Sequence, residues 1–406
     1  MKKFDIPNYY KSSIISKIKS YRAKSDPRKK DYTPTELDFG PVVFYIARHF
    51  GFCYGVENAI EIAYKTIDAN PGKRIFLLSE MIHNPHVNSD LLDKGVRFIM
   101  DNNGRQLIDW SELDAEDIIL IPAFGTNLEI ESKIRELGIS TEKYNTTCPF
   151  VEKVWNRAVQ LGSEDYTVII HGKHNHEETR ATFSHSKENA PSVIIRDIAE
   201  AKILGEIILG ERPVAEFYTH FSGKYSSGFI PEKHLNKIGV VNQTTMLASE
   251  TDEIAEYFKY AMIRKFGEDK IDEHFADTRD TLCYATNDNQ KATYGLLEVD
   301  ADFAVVIGGY NSSNTSHIVN LLERNFTTYF ISSEEKIFSS GKILHYDLSA
   351  GSEKLTLNFI PRKPKVKIVI TSGASCPDAL VDGVIEKLHS FFPSAEPLEK
   401  AEDLLK

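Results

Sequence analysis

The chain has 406 residues, too many for one ordinary core, so two to four domains are expected. Its 59 Asp and Glu against 48 Lys and Arg give a formal charge of −11, which argues against general nucleic-acid binding. No apolar run approaches the length of a membrane span, four scattered cysteines are no disulfide scaffold, and the start lacks a signal-peptide apolar core, so a cytoplasmic, reducing location is expected.

Residues 1–40 are polar and charged, and RAKSDPRKKDYTPTE reads as an exposed segment. Strands and helices then alternate. VVFYIAR (42–48) reads as a buried strand. GVENAIEIAYKTI (55–67) has helical spacing, with Val56, Ala59, Ile60 and Ala63 on one face. IFLLSE (75–80) and IILIPAF (118–124) read as strands separated by the helical VNSDLLDKG. VEKVWNRAVQL is a helix, and TVIIHG, SVIIRD and GVVNQTT are strands. The stretch from about 204 to 238 has mixed patterning and many turn residues, and reads as an insertion, a lid or an edge. A helix is expected over 251–266, ended by Gly267. The last third repeats the scheme: FAVVIGG, a helix from 316, TYFISS, VKIVITS, and a helix with Pro377 at its first position. Apolar strands alternating with amphipathic helices indicate an α/β fold with mostly parallel sheets, whose ligands gather at the carboxyl ends of the strands.

Three cysteines stand at one kind of place. Cys53, Cys148 and Cys283 each open a segment with helical periodicity, in different thirds of the chain. The helix dipole and free backbone N–H groups favour a thiolate there, which suits a metal-binding sulfur. Taken singly, each is as well read as a buried small hydrophobe. The loop Gly308–Thr315 (GGYNSSNT) combines two glycines with a row of neutral donors opening a helix, an anion site without the lysine of a Walker loop. The plainer reading is a polar turn with a Ser or Asn cap. SGASCP (372–377) ends a strand the same way and brings Ser375. His171-Gly-Lys-His-Asn-His-Glu-Glu packs three histidines and two glutamates after a strand. It reads as a zinc loop, as anion contact by His176 with proton delivery by Glu178, or as a surface loop. His83 in IHNPHV is ambiguous, Thr244 and Thr245 in NQTT could cap the helix that follows, and His49 reads as structural.

In order along residues 51–384 stand GFCYGVENAI, IHNPHV, NTTCPFVEKV, HEET, NQTTM, DTLCYATNDNQ, GGYNSSNT and TSGASCPDALV. The series resembles the LytB/IspH family, reductases of 4-hydroxy-3-methylbut-2-enyl diphosphate that end the non-mevalonate isoprenoid pathway. The resemblance implies three αβα domains around a pseudo-threefold axis with a central iron–sulfur cluster. Their boundaries are 54–147, then 148–282 with the insertion, then 41–53 plus 283–390, flanked by an extension 1–40 and a tail 391–406. It implies that Cys53, Cys148 and Cys283 ligate one 4Fe-4S cluster whose fourth iron takes the substrate hydroxyl. By the same resemblance His83, His176, Ser312, Ser313, Asn314 and Ser375 bind the diphosphate. Glu178 supplies protons with help from Thr244, and a ferredoxin or flavodoxin supplies electrons. Cys376 falls at a position the family does not use for ligation. Many bacterial members carry PAHG where this chain has Pro122-Ala123-Phe124-Gly125, a departure that resembles the plant and cyanobacterial branch.

Three rivals compete with that resemblance. A quinolinate synthase-like dehydratase would want arginines near the site, and these loops are poor in Arg. An electron carrier usually closes its cluster with four cysteines. A structural zinc site built of three distant cysteines, with no nearby histidine, would be unusual.

Overall fold

The computed structural model describes residues 4–276 and 281–405. Asp280, which opens one of the motifs above, lies outside the described residues. The chain divides into two compact units. One takes residues 1–57, 83–89 and 284–406, the other 58–82 and 90–283.

The first unit is built on an eight-stranded sheet. At its centre Val42–Ile46, Val366–Ser372, Phe303–Ile307 and Thr328–Ile331 run parallel, in that order. These are the continuous apolar runs of the sequence, and every residue of Phe303–Ile307 is buried. Helix Asp378–His389 lays Val381, Val384, Ile385 and Leu388 into the same core. Pro377 sits one position earlier than expected, before the helix rather than inside it.

Residues 22–36, read as exposed, are largely so, but the rest of the amino-terminal extension is built into this unit: Thr35–Asp38 adds an antiparallel edge strand to Val42–Ile46, and helix Ile14–Ser25 buries Ile14, Ile15 and Ile18 in the main core. The start of that helix is capped twice: the Ser12 hydroxyl oxygen accepts from the Ile15 N–H at 2.7 Å, and the Asp382 carboxylate accepts from the N–H groups of Ser13 (2.9 Å), Ile14 (3.1 Å) and Ile15 (3.1 Å) and from the Ser12 hydroxyl. A carboxylate facing the positive end of a helix satisfies orphan donors and the dipole together. Asp382→Ala is expected to lower unfolding free energy by about 2–3 kcal/mol, read by urea denaturation. The unit also holds a hairpin the patterning did not reveal, Lys342–Asp347 with Ser352–Leu357, whose outer strand is almost wholly exposed.

The second unit holds two parallel sheets, Arg97–Phe98, Ile75–Leu77 and Ile118–Leu120 in one, and Ser192–Ile195, Thr167–His171, Ile238–Asn242 and Phe275–Ala276 in the other. The stretch read as an insertion from 204 begins inside helix Ile198–Leu209. Leu204, Ile207, Phe217, Phe221, Phe229 and Leu235 share a core with Ile254 and Phe258 of helix Ala248–Phe266. It is part of that unit's core. Among the described residues no helix is long and apolar enough to cross a membrane.

Candidate active site

In the first unit the carboxyl ends of the parallel strands meet the motif loops. Cys53 is half-buried, immediately precedes helix Tyr54–Ala69, and donates its N–H to the Ala374 carbonyl at 3.2 Å. Ser375 of the same loop donates its hydroxyl to the His83 carbonyl at 3.1 Å. Ser312, Ser313 and Asn314 are all buried at the start of helix Ser313–Leu322, where Ser312 is the cap and accepts from the Thr315 N–H at 3.3 Å. Asn314 reaches both ways: its Oδ1 accepts from the Ala374 N–H at 3.4 Å, and its amide lies 3.5 Å from the Thr286 hydroxyl.

Two glycines make this crowding possible. A Cβ on Gly309 would lie 2.3 Å from the His83 carbonyl, and one on Gly373 would lie 2.0 Å from the Thr315 hydroxyl. Only glycine lets the backbone approach so closely. The capping-turn reading of GGYNSSNT and its anion-site reading are therefore compatible, because Ser312 caps the helix at which the donors gather. His83 and Ser375 join Ser312, Ser313 and Asn314 in this unit.

In the second unit Cys148 caps helix Pro149–Ser163, and its N–H is held by the Ala123 carbonyl at 3.0 Å. Burial pushes the Cys148 thiol up to about 12, with the nearby Cys283 and Glu178 adding to the rise and the N–H groups of Phe150 and Val151 opposing it. Two cysteines and a carboxylate thus share one neighbourhood of this unit. Thiols so raised are protonated at neutral pH unless a cation compensates, and a thiolate-bound iron centre supplies that compensation. Two thiols are sulfur donors of the kind an iron–sulfur group takes. Within neither unit do the described residues gather three His, Cys, Asp or Glu side chains in a group able to hold a metal ion.

Glu178 is 1% exposed in the first turn of helix Glu177–Lys187, and its Oε1 accepts the Thr244 N–H at 2.5 Å. Thr244 does not cap the next helix: Ala248–Phe266 starts at Leu247 with no side-chain cap. A residue without an assigned role in the sequence, Gln243, fixes this corner. Its Oε1 accepts from the Lys173 N–H (3.2 Å) and the Thr179 hydroxyl (3.0 Å), while its Nε2 donates to Thr245 (2.6 Å). The only sequence signal was its place in NQTT.

The three-histidine zinc loop does not form. His171 is fully buried against the Thr251 hydroxyl at 2.9 Å, and burial takes its pKa down to about 4. His174 turns to the Gly223 carbonyl at 3.1 Å, and His176 accepts the Glu178 N–H at 3.2 Å through Nδ1. Phe124, where many bacterial members have histidine, packs edge-on against the His176 ring with centroids 5.7 Å apart. Cys376 is fully buried in the first unit's core, its thiol pushed strongly up by burial and pointing to the Pro377 carbonyl at 3.6 Å.

The family model described as LytB protein matches residues 44–389. The chain belongs to the LytB family. Its LytB relatives include proteins named 4-hydroxy-3-methylbut-2-enyl diphosphate reductase from Crocosphaera subtropica, 39% identical over 93% of this chain and 89% of that one, and from Prochlorococcus marinus strain AS9601, 40% identical over 93% and 90%. Both sources are cyanobacterial names, in line with the branch that the Phe124 departure resembles. Two solved structures share the fold. That of the E-1-hydroxy-2-methyl-but-2-enyl-4-diphosphate reductase from Plasmodium falciparum has a TM-score of 0.60 at 20% identity, covering 84% of this chain and 86% of that one. That of (E)-4-hydroxy-3-methyl-but-2-enyl diphosphate reductase has a TM-score of 0.52 at 22% identity, covering 86% and 99%.

Proposed function

We propose that this LytB protein reduces (E)-4-hydroxy-3-methylbut-2-enyl diphosphate to isopentenyl and dimethylallyl diphosphate, the last step of the non-mevalonate pathway. What carries the reading is identity of about two residues in five, over nine-tenths of the chain, to proteins bearing that activity's name. The local chemistry supports it. Breaking the allylic C–O bond takes two electrons and two protons and releases water, so the site needs an acid, an anion cradle and an electron source.

Glu178 is the proton donor, buried and held in place by the Thr244 backbone. Thr244 itself assists at the leaving oxygen. His83, His176, Ser312, Ser313, Asn314 and Ser375 hold the diphosphate, in the main by neutral donors at a helix N-terminus rather than by fixed cations. Cys53, Cys148 and Cys283 would hold a 4Fe-4S cluster, which when bound supplies the electrons and an open iron for the substrate hydroxyl. The finer architecture belongs to the same proposal: three αβα domains about a pseudo-threefold axis, each giving one cysteine. The three sheets support it, because each lies within one of the expected segments save for the edge strand Thr35–Asp38.

The test is anaerobic reconstitution with iron and sulfide, followed by the hydroxylated diphosphate and dithionite. Both five-carbon diphosphates are expected; a protein with its full iron content and no product overturns the reading.

A further inference from the structure

The proposed reaction consumes two electrons that neither the substrate nor any side chain can give, and the route by which they arrive is inferred on the strength of that reading. The chain's charge is unevenly spread. Residues 1–31 hold ten Lys and Arg against three Asp, in a protein whose total is −11. The structure sharpens this asymmetry at the turn after helix Ile14–Ser25. The Asp26 carboxylate is engaged by the buried Arg48 at 3.4 Å and by the N–H groups of Lys30 (3.2 Å) and Asp31 (3.1 Å). Asp31 pairs with the buried Arg22 at 2.9 Å. Lys29 takes a left-handed conformation (φ 52°) that completes the turn. With the acids so used, Lys24, Arg28, Lys29 and Lys30 are exposed and form no ion pair among the described residues.

This cationic face lies at a functional edge of the first unit. Arg48, to whose guanidinium the Arg22 and Asp26 carbonyls are bound at 3.4 and 3.3 Å, stands five residues before Cys53. Lys19, on the same helix as Lys24, pairs with Asp378 at 2.8 Å and lies over the Phe50 ring at 4.9 Å. The same unit carries exposed aromatics next to Cys53. Tyr54, which directly follows Cys53, is 38% exposed and in contact with Phe4 (5.0 Å between centroids). Its N–H donates to the hydroxyl of Tyr284, which is 42% exposed.

We infer that this basic face, Lys24, Arg28, Lys29 and Lys30 with the Tyr54 and Tyr284 rings, docks an acidic protein that carries one electron at a time. Two encounters deliver two electrons, each oxidising one carrier molecule by one electron, while the two protons, taken ultimately from solvent, include the one that Glu178 gives to the departing hydroxyl. Complementary charge steers such an encounter without requiring a large buried area. A membrane surface is the poorer fit, because the helix's apolar side, Ile14, Ile15 and Ile18, is already spent on its own core.

The test compares the reconstituted wild-type enzyme with a variant combining Lys24→Glu, Arg28→Glu and Lys30→Glu. A second variant carries glutamine at the same three exposed sites. Each is driven either by a reduced acidic two-iron ferredoxin or by dithionite. The half-saturating ferredoxin concentration is expected to rise about tenfold in the glutamate variant and less in the glutamine one. Added salt is expected to raise it in the wild type and hardly in the variants, with dithionite turnover unchanged throughout. An unchanged half-saturation overturns the inference, and so does an equal loss with both reductants. Unchanged half-saturation with loss of RNA or anionic-vesicle binding would overturn it in favour of a polyanion site. Wild-type enzyme inactive even with dithionite would instead count against the reductase reading.

Discussion

Glu178→Gln is expected to lower turnover roughly 10²–10⁴-fold while leaving the half-saturating substrate concentration within a few-fold. The amide keeps the shape of the carboxyl and can still accept the Thr244 N–H through its oxygen. It cannot release a proton to the departing hydroxyl. Since the side chain is 1% exposed, water has poor access to substitute for it. The measurement is steady-state turnover with dithionite on variant protein whose iron content matches wild type. Wild-type turnover would remove Glu178 from the mechanism, and an equal fall in both kinetic constants would make it a binding group.

The second large effect separates the two kinds of cysteine. Cys148→Ser is expected to weaken retention of the iron–sulfur group by at least roughly 100-fold, because loss of a ligand should cost no less than loss of a group that merely supports one. Its thiol is held protonated chiefly by burial, which a bound cationic centre would offset. Cys376→Ala is expected to cost only about 1 kcal/mol of stability, as a small cavity in the core, and to keep both iron and the visible spectrum. Iron assay and absorption after anaerobic reconstitution distinguish the outcomes. Equal iron loss in both variants would mean that the two cysteines cannot be told apart by role.

The parallel strands were legible because a sheet covered on both faces demands unbroken apolar runs, and FAVVI and VKIVI are such runs. The hairpin Lys342–Asp347 with Ser352–Leu357 was not, because its outer strand is solvated and carries no apolar period. The amino-terminal helix went unread although Ser12, whose hydroxyl oxygen accepts the Ile15 N–H, is a local start signal; the rest of its cap is a carboxylate hundreds of residues away. At the site, the cysteines and the glycine-rich loop could be read from residue type and position alone. The histidines could not. Three of them within six residues look like a cluster, yet each takes a different partner, Thr251, Gly223 or the Glu178 backbone, and only folded geometry assigns those.

The bonds from Asp382 to Ser13, Ile14 and Ile15 join positions 369, 368 and 367 residues apart. A ribosome releases the helix long before its cap. Until then Ile14, Ile15 and Ile18 lack the core that buries them, because two of its central strands, Phe303–Ile307 and Val366–Ser372, are also still to come. The stretch 90–283, continuous within the second unit, has no such wait. During synthesis the nascent amino terminus therefore presents a basic, apolar segment for most of the elongation time, a natural client for a holding chaperone. The helix is made long before it can find its place.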